Sequence, residues 1–298
     1  MALFGFGLET GVGEVDELLR HAEQADRAGL DLVSLSDHPY FADRLDAYAA
    51  LGVILGRTSK VTAAVNVTNL PSRPAPMLAR TITSLSALSG GRVVLGIGAG
   101  GLWREITKLG VEHRTPAEAV RAMGEAITLV KALSGGGAPV TFEGEFYSVD
   151  RLAPAAAAAP PVWTGAVGPK SLAVTGKLAD GWIPGHAADW LSPRFAESRP
   201  VIDQAAAEAG RDPGEIATIY NFPGRITENP LSSPRDDDGR WAGGSVAQWV
   251  EELVTAVREH GAAGFIYFPV EDGTSTDSAL GRWGHEVVPA VREALGRA

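Results

Sequence analysis

With 298 residues the chain has room for one large core, since parallel α/β barrels commonly form a single domain of ~250 residues. Hydrophobic residues make up 45% and charged residues 21%, a globular composition that excludes disorder as a description of the whole. The 36 acidic and 26 basic residues give a net charge of −10 with no basic run to offset it, which argues against nucleic acid, and zero cysteines exclude disulfides and thiolate chemistry.

In chain order, Met1 to Leu8 lacks a basic start and alternates Gly with apolar residues, so it reads as a first strand rather than a signal peptide. No 18-residue apolar run occurs, no membrane span is expected, and the cytoplasm is the default location. Val15, Leu18, Leu19, Ala22 and Ala25 share one helical face, and Gly29 marks the stop. Leu30 to Leu35, Val61 to Val65, Val93 to Ile97, Val162 to Thr164, Ile216 to Tyr220 and Phe265 to Phe268 read as further strands. Several are apolar at consecutive positions, as strands buried on both faces are. Helical periods lie between them. Thr115-Pro116-Ala117-Glu118 and Ser245-Val246-Ala247-Gln248 mark two starts by their capping chemistry. Gly90, Gly210 and Gly261 mark stops.

Strands alternating with helices, about eight times over, predict an α/β fold with a parallel sheet closed into a (β/α)8 barrel. Residues 1–298 form one domain on this reading, with two insertions. One is a β-hairpin at about 138–152, turning at Glu143-Gly144 and followed by a proline-flanked alanine spacer. The other is a long loop at about 223–244, rich in Pro, Asp, Gly and Ser, expected to be a mobile flap over the mouth.

Chemistry in such a barrel belongs to the C-terminal ends of the strands. Four clusters sit there. Ser36-Asp37-His38-Pro39-Tyr40 places a carboxylate beside an imidazole; the plain alternative is an ordinary loop histidine. Asn66-Val67-Thr68-Asn69 offers amides and a hydroxyl, or simply turn chemistry. Gly96-Ile97-Gly98-Ala99-Gly100-Gly101 imitates a dinucleotide fingerprint with a misplaced third Gly, and its physical content is close approach of backbone to a bulky ligand. Gly165-Ala166-Val167-Gly168-Pro169-Lys170-Ser171 opens a helix whose free amides and lysine suit an anion, or serves only as a Gly-Pro helix start. The remaining histidines show no metal-ligand spacing, and no G-x-S-x-G elbow anchors a hydrolase. Trp103, Trp182 and Trp190 follow strands and could wall a pocket.

In order and spacing these clusters resemble the luciferase-like flavin- and deazaflavin-dependent oxidoreductases. The resemblance includes Leu88 to Gly100 and Leu178-Ala179-Asp180-Gly181-Trp182, and covers nearly the whole chain. It implies a barrel carrying a tricyclic ring over its strand ends, and a non-proline cis peptide involving Val65, Asn66 or Val67. An Asp-His pair looks like the branch that uses coenzyme F420, whereas Glu-His is more typical of FMN monooxygenases. By this resemblance Asp37, Asn66, Val67, Thr68, Ala99, Gly100, Val167, Gly168 and Lys170 are cofactor contacts, and His38 is the acid/base or substrate-polarising residue. The implied activity is hydride transfer between F420 and a small, fairly apolar molecule. Alternatives are an FMN-dependent monooxygenase fed by a partner flavin reductase, or a barrel that binds the cofactor without catalysis. A homodimer fits the family. One departure stands out: Gly101 occupies the position where related sugar-phosphate dehydrogenases carry a catalytic Glu, which argues against oxidation of a sugar hydroxyl.

Overall fold

A computed structural model describes residues 2–186 and 188–296. The first half runs β1 (Leu3–Leu8), α1 (Val15–Arg27), β2 (Leu32–Leu35), α2 (Ala47–Arg57), β3 (Thr62–Asn69), α3 (Ala75–Ser89), β4 (Val93–Gly98), the single turn α4 (Trp103–Ile106) and α5 (Pro116–Ala132). Then come β5 (Val140–Glu143), β6 (Ser148–Leu152), β7 (Val162–Thr164), α6 (Pro169–Leu178), β8 (Gly181–Trp182) and α7 (Pro193–Glu208). The chain ends with β9 (Ala217–Thr227), β10 (Gly243–Ser245), α8 (Val246–His260), β11 (Gly264–Pro269), α9 (Thr276–Arg282) and α10 (Val288–Ala294).

Strand order β11-β1-β2-β3-β4-β7-β8-β9, with β9 also bonded to β11, closes an eight-stranded parallel barrel. Its strands are apolar at consecutive positions because alternate side chains face two different cores. Leu32, Ala64, Val94, Trp163, Ile183, Ile219 and Ile266 pack together inside. Val33, Val65, Leu95, Tyr220, Phe222 and Phe265 pack outward under the helices. Capping does what its sequence signals require. Thr115 and Glu118 close a reciprocal capping box, and Gly29, Gly90, Gly210 and Gly261 end their helices at positive φ. β5 and β6 pair antiparallel as a hairpin off the barrel.

Four segments differ from the sequence reading. β8 and β10 are strands of two and three residues, too short to leave a periodic signal. The Asn66–Asn69 cluster lies within β3, which resumes pairing with β4 after a bulge between Val65 and Thr68. Finally, β9 runs on to Thr227, and the chain after it does not arch over the mouth as a flap. Arg235 reaches Asp189 at 2.7 Å and Glu252 of α8, while Trp241 is buried against Phe222 and Trp249. Burial of that one indole fastens the segment to the flank of α8, which is why its polar composition misleads.

Candidate active site

His38 lies three residues beyond the end of β2, in the loop at the C-terminal end of the barrel. Its Nδ1 lies 2.6 Å from the Tyr40 hydroxyl, and the rings of Tyr40 and Phe41 flank it. Asp37, next in sequence, points the other way. Its side chain is 1% exposed, and Oδ2 accepts from the Asn69 backbone N–H at 2.9 Å and from Arg73 Nε at 3.0 Å. Oδ1 accepts from Arg73 Nη2 at 2.7 Å, and the same nitrogen donates to Asp46 at 2.8 Å. Arg73 also lies over the Tyr48 ring, whose hydroxyl meets Thr68 Oγ1 at 2.7 Å in full burial.

The charges in this brace reinforce each other. Burial works against the Arg73 cation, yet Asp37 and Asp46 outweigh it and hold the guanidinium above its ordinary value. Burial likewise opposes the Asp46 carboxylate, and the Arg73 and Ala49 donors hold it below the usual range. Burial pushes the Tyr48 phenol well above its ordinary value, so it stays a neutral hydrogen-bonding group.

Beside the brace, the bulge of β3 contains a cis peptide between Asn66 and Val67. Asn66 Nδ2 donates to Asn221 Oδ1 at 2.7 Å across the barrel mouth. Val67 turns inward over bare glycines. A Cβ at Gly98 would come within 2.8 Å of Val67, and one at Gly165 within 3.2 Å. At Gly96 a Cβ would stand 2.1 Å from the Val65 carbonyl oxygen. The glycines of β4 are therefore needed for the bulge itself, before any ligand is considered.

Next to the bulge, the loops after β4 and β7 and the first two turns of α5 enclose a cavity of about 330 Å3. Ala99, Gly100, Gly101, Trp103, Val167 and Gly168 are among its walls. Gly100 has φ 96°, and a Cβ there would meet Pro71 at 2.6 Å. Trp182, fully buried, donates to the Ala166 carbonyl at 2.9 Å and so fixes the second loop from below. α6 starts at Pro169, with Ser171 Oγ accepting from Gly168 N–H at 3.1 Å and donating to Gly168 O at 2.9 Å. Lys170 is exposed in the first turn of α6. On the other side of the mouth, the His186 ring packs against Phe268 at 5.3 Å, and Phe268 lies where a Cβ of Gly7 would fall. His186 is an exposed residue, and desolvation on the side of its ring that packs on Phe268 lowers the imidazole from its ordinary value.

The residues singled out from sequence thus divide. Ala99, Gly100, Val167 and Gly168 share one cavity, Asn66 and Val67 form the adjoining bulge, and Lys170 stands at the helix start beside them. Asp37 and Thr68 do not offer their side chains to that space; each is buried and bonded to a scaffold partner. Of the three tryptophans, Trp103 alone lines this cavity, while Trp190 is buried against Tyr220, Phe222 and Phe265 on the outer face of β9. Sequence reading missed Arg73, Tyr48 and Asp46, which carry no motif. It also missed Asn221, although a lone amide inside the apolar run Ile219–Phe222 is a readable signal. Among the described residues no group of His, Asp and Glu could hold a metal ion, and no helix is long and apolar enough to cross a membrane.

The luciferase-like monooxygenase family profile matches residues 1–230. An F420-dependent glucose-6-phosphate dehydrogenase from Microbacterium testaceum is 32% identical over 230 residues, 72% of this chain and 66% of that protein. A 5,10-methylenetetrahydromethanopterin reductase from Methanolobus tindarius is 30% identical over 215 residues, covering 71% of this chain and 62% of the relative. The match thus spans just under two thirds of the length of these two relatives. Among solved structures, an F420-dependent secondary alcohol dehydrogenase in complex with an F420-acetone adduct superposes with a TM-score of 0.78. That superposition covers 98% of this chain and 99% of the other at 19% identity, a likeness of fold.

Proposed function

Because the chain belongs to the luciferase-like monooxygenase family, we propose that it is an oxidoreductase transferring a hydride between coenzyme F420 and a small organic substrate. One observation carries the reading: the glycine-walled cavity and the Val67 bulge adjoin at the mouth to which β2 brings His38. The residues fit a flat, bulky ring with an anionic tail. Val67 would support the ring's face, and Asn66 its polar edge. Ala99, Gly100 and Val167 would flank it without obstructing side chains, while Gly168 and Lys170 at the start of α6 suit a phosphate. When bound, F420 supplies or accepts the hydride.

The chain's own residues do the rest. His38 exchanges a proton or hydrogen bond with the substrate, and Tyr40 and Phe41 hold its ring. Asp37 acts from behind, locking the loop after β2 to the Asn69 backbone, while Thr68 ties β3 to Tyr48 of α2. A Cβ at Gly101 would meet nothing within 4 Å, so no carboxylate stands at this point of the wall. That supports a reductase for a small, fairly apolar molecule over a sugar-phosphate dehydrogenase. Residues 1–298 act as one catalytic unit on this reading.

Titration of the purified chain with F420, and separately with FMN, tests it. Saturable F420 binding without comparable FMN binding is expected, whereas FMN binding alone would move the protein to the monooxygenase reading with a partner flavin reductase. His38→Ala should leave F420 affinity nearly unchanged and slow turnover by about 100-fold or more. Unchanged turnover would remove His38 from the mechanism.

A further inference from the structure

The two amides that meet across the mouth keep unused hydrogen-bonding capacity. In the closed strand order β3 and β9 stand opposite one another. Ala64 of β3 and Ile219 of β9 belong to the inner core, and Asn66 and Asn221 each come two residues later, in the layer above it. Asn66 Nδ2 donates to Asn221 Oδ1 at 2.7 Å, so both side chains turn inward. An isolated bridge between His186 and Asn221 carries the β8–β9 pairing up to this level and fixes the Asn221 backbone.

That bond uses one donor of Asn66 and one acceptor of Asn221. Asn66 Oδ1 and Asn221 Nδ2 have no partner among the described residues, yet neither is sealed from solvent. Both residues are part-buried above a packed core, so their open atoms are reached from the mouth. Turning both amides over exchanges the roles, but the floor still shows one oxygen and one NH2 group. An acceptor beside a donor, both neutral, fits a group that carries N–H next to C=O in a cis arrangement, a lactam or an imide. A carboxylate has no proton to give and an ammonium no lone pair, so neither satisfies both amides.

Resting on the reading of this mouth as the seat of the ring, we propose that Asn221, together with Asn66, holds the imide edge of the cofactor's pyrimidinedione ring. The imide N–H donates to the free amide oxygen, and the free amide NH2 donates to the adjoining imide carbonyl. The contact reads the ring's edge and not its tail, so it is common to F420 and FMN.

Rings without tails isolate the edge. The full chain is titrated, by fluorescence, with a deazaflavin bearing only a methyl group in place of its tail, and with the same ring also methylated at the imide nitrogen. The first should bind at least about 10-fold more tightly than the second, which lacks the N–H. Asn221→Asp keeps an oxygen for Asn66 Nδ2 but sets a second oxygen where the NH2 group stood, and should weaken both the ring and F420 by about 10-fold or more. Equal affinity of the parent chain for the two rings, or an affinity unmoved by Asn221→Asp in a folded chain, overturns the proposal and leaves the amide pair a tie between β3 and β9. Should Asn221→Asp not fold, the methylated ring decides alone. F420 and FMN titrated in parallel separate the two readings: binding of FMN alone ends the F420 function, while Asn221→Asp must still weaken FMN. If none of these compounds binds, both readings fall.

Discussion

Asp37 shows how a residue can matter to a site without facing it. Its carboxylate joins the loop after β2 to the end of β3 through Arg73 and the Asn69 N–H. Removing its charge while keeping its shape isolates that role. Asp37→Asn leaves Arg73 short of one charge partner in a mostly buried setting, which should cost about 3 kcal/mol of stability. Denaturant midpoints measure it, and a loss below about 1 kcal/mol would mean that Asp46 and the Tyr48 ring suffice to hold the guanidinium. Tyr48 and Thr68 belong to the same brace, their hydroxyls satisfying each other out of water. A buried hydroxyl without a partner is costly, so the pair is retained as a pair.

Among the elements, the segment from Glu228 to Ala242 has the least expected role. Its Ser, Pro, Asp and Gly would suit a free loop, yet Trp241 stacks on Phe222 at 5.9 Å and meets Trp249 edge-on at 5.0 Å. Arg235 adds ion pairs to Asp189 and Glu252 and stands over Trp190. Trp241→Ala should therefore cost about 3 kcal/mol or more and make this segment the first site of limited proteolysis. Cleavage there at the same rate in the parent chain would show that the aromatic anchor does not restrain it. β4 illustrates the opposite case, a sequence signal with a structural reading of its own. Its glycines resemble a nucleotide motif, but Gly96 and Gly98 are bare because the β3 bulge lies against them. The glycines that line the cavity, Gly100 and Gly101, come after the end of the strand.

Across the whole molecule, two histidines tie stability to pH. Burial lowers His21 in spite of the nearby Asp277, and desolvation on one side lowers the more exposed His186. The unfolded chain therefore takes up protons near pH 6.5, where the folded chain does not. More protons bound to the unfolded state means stability that rises with pH through this window and falls on acidification. A second loss follows at lower pH. Burial opposes the Asp26 carboxylate, but N–H groups of Val61, Lys60 and Ser59 hold it below its ordinary 3.8, so its contribution is present above that value and fades as pH drops through the depressed one. The melting temperature should decline from pH 7 to pH 5, with part of that slope removed by His186→Gln. A flat profile, or a slope that His186→Gln leaves untouched, would count against the assignment.

Local sequence determined the elements and their order. Apolar runs, the Thr115 and Ser245 helix starts and the glycine stops are short-range signals, and eight repeats of them leave a closed parallel barrel as the natural solution. The glycine loops and His38 were legible for the same reason, because a barrel turns position at a strand end into position at the mouth. Tertiary structure alone decided which polar side chains face that mouth. Asp37 and His38 are neighbours in sequence and point to different surroundings, and nothing local says that Arg73 claims one while Tyr40 claims the other. Arg73, Asp46, Tyr48 and Asn221 reach their partners across separate elements, and burial, which no short window encodes, turns the Tyr48–Thr68 and Arg73–Asp37 contacts from optional into obligatory.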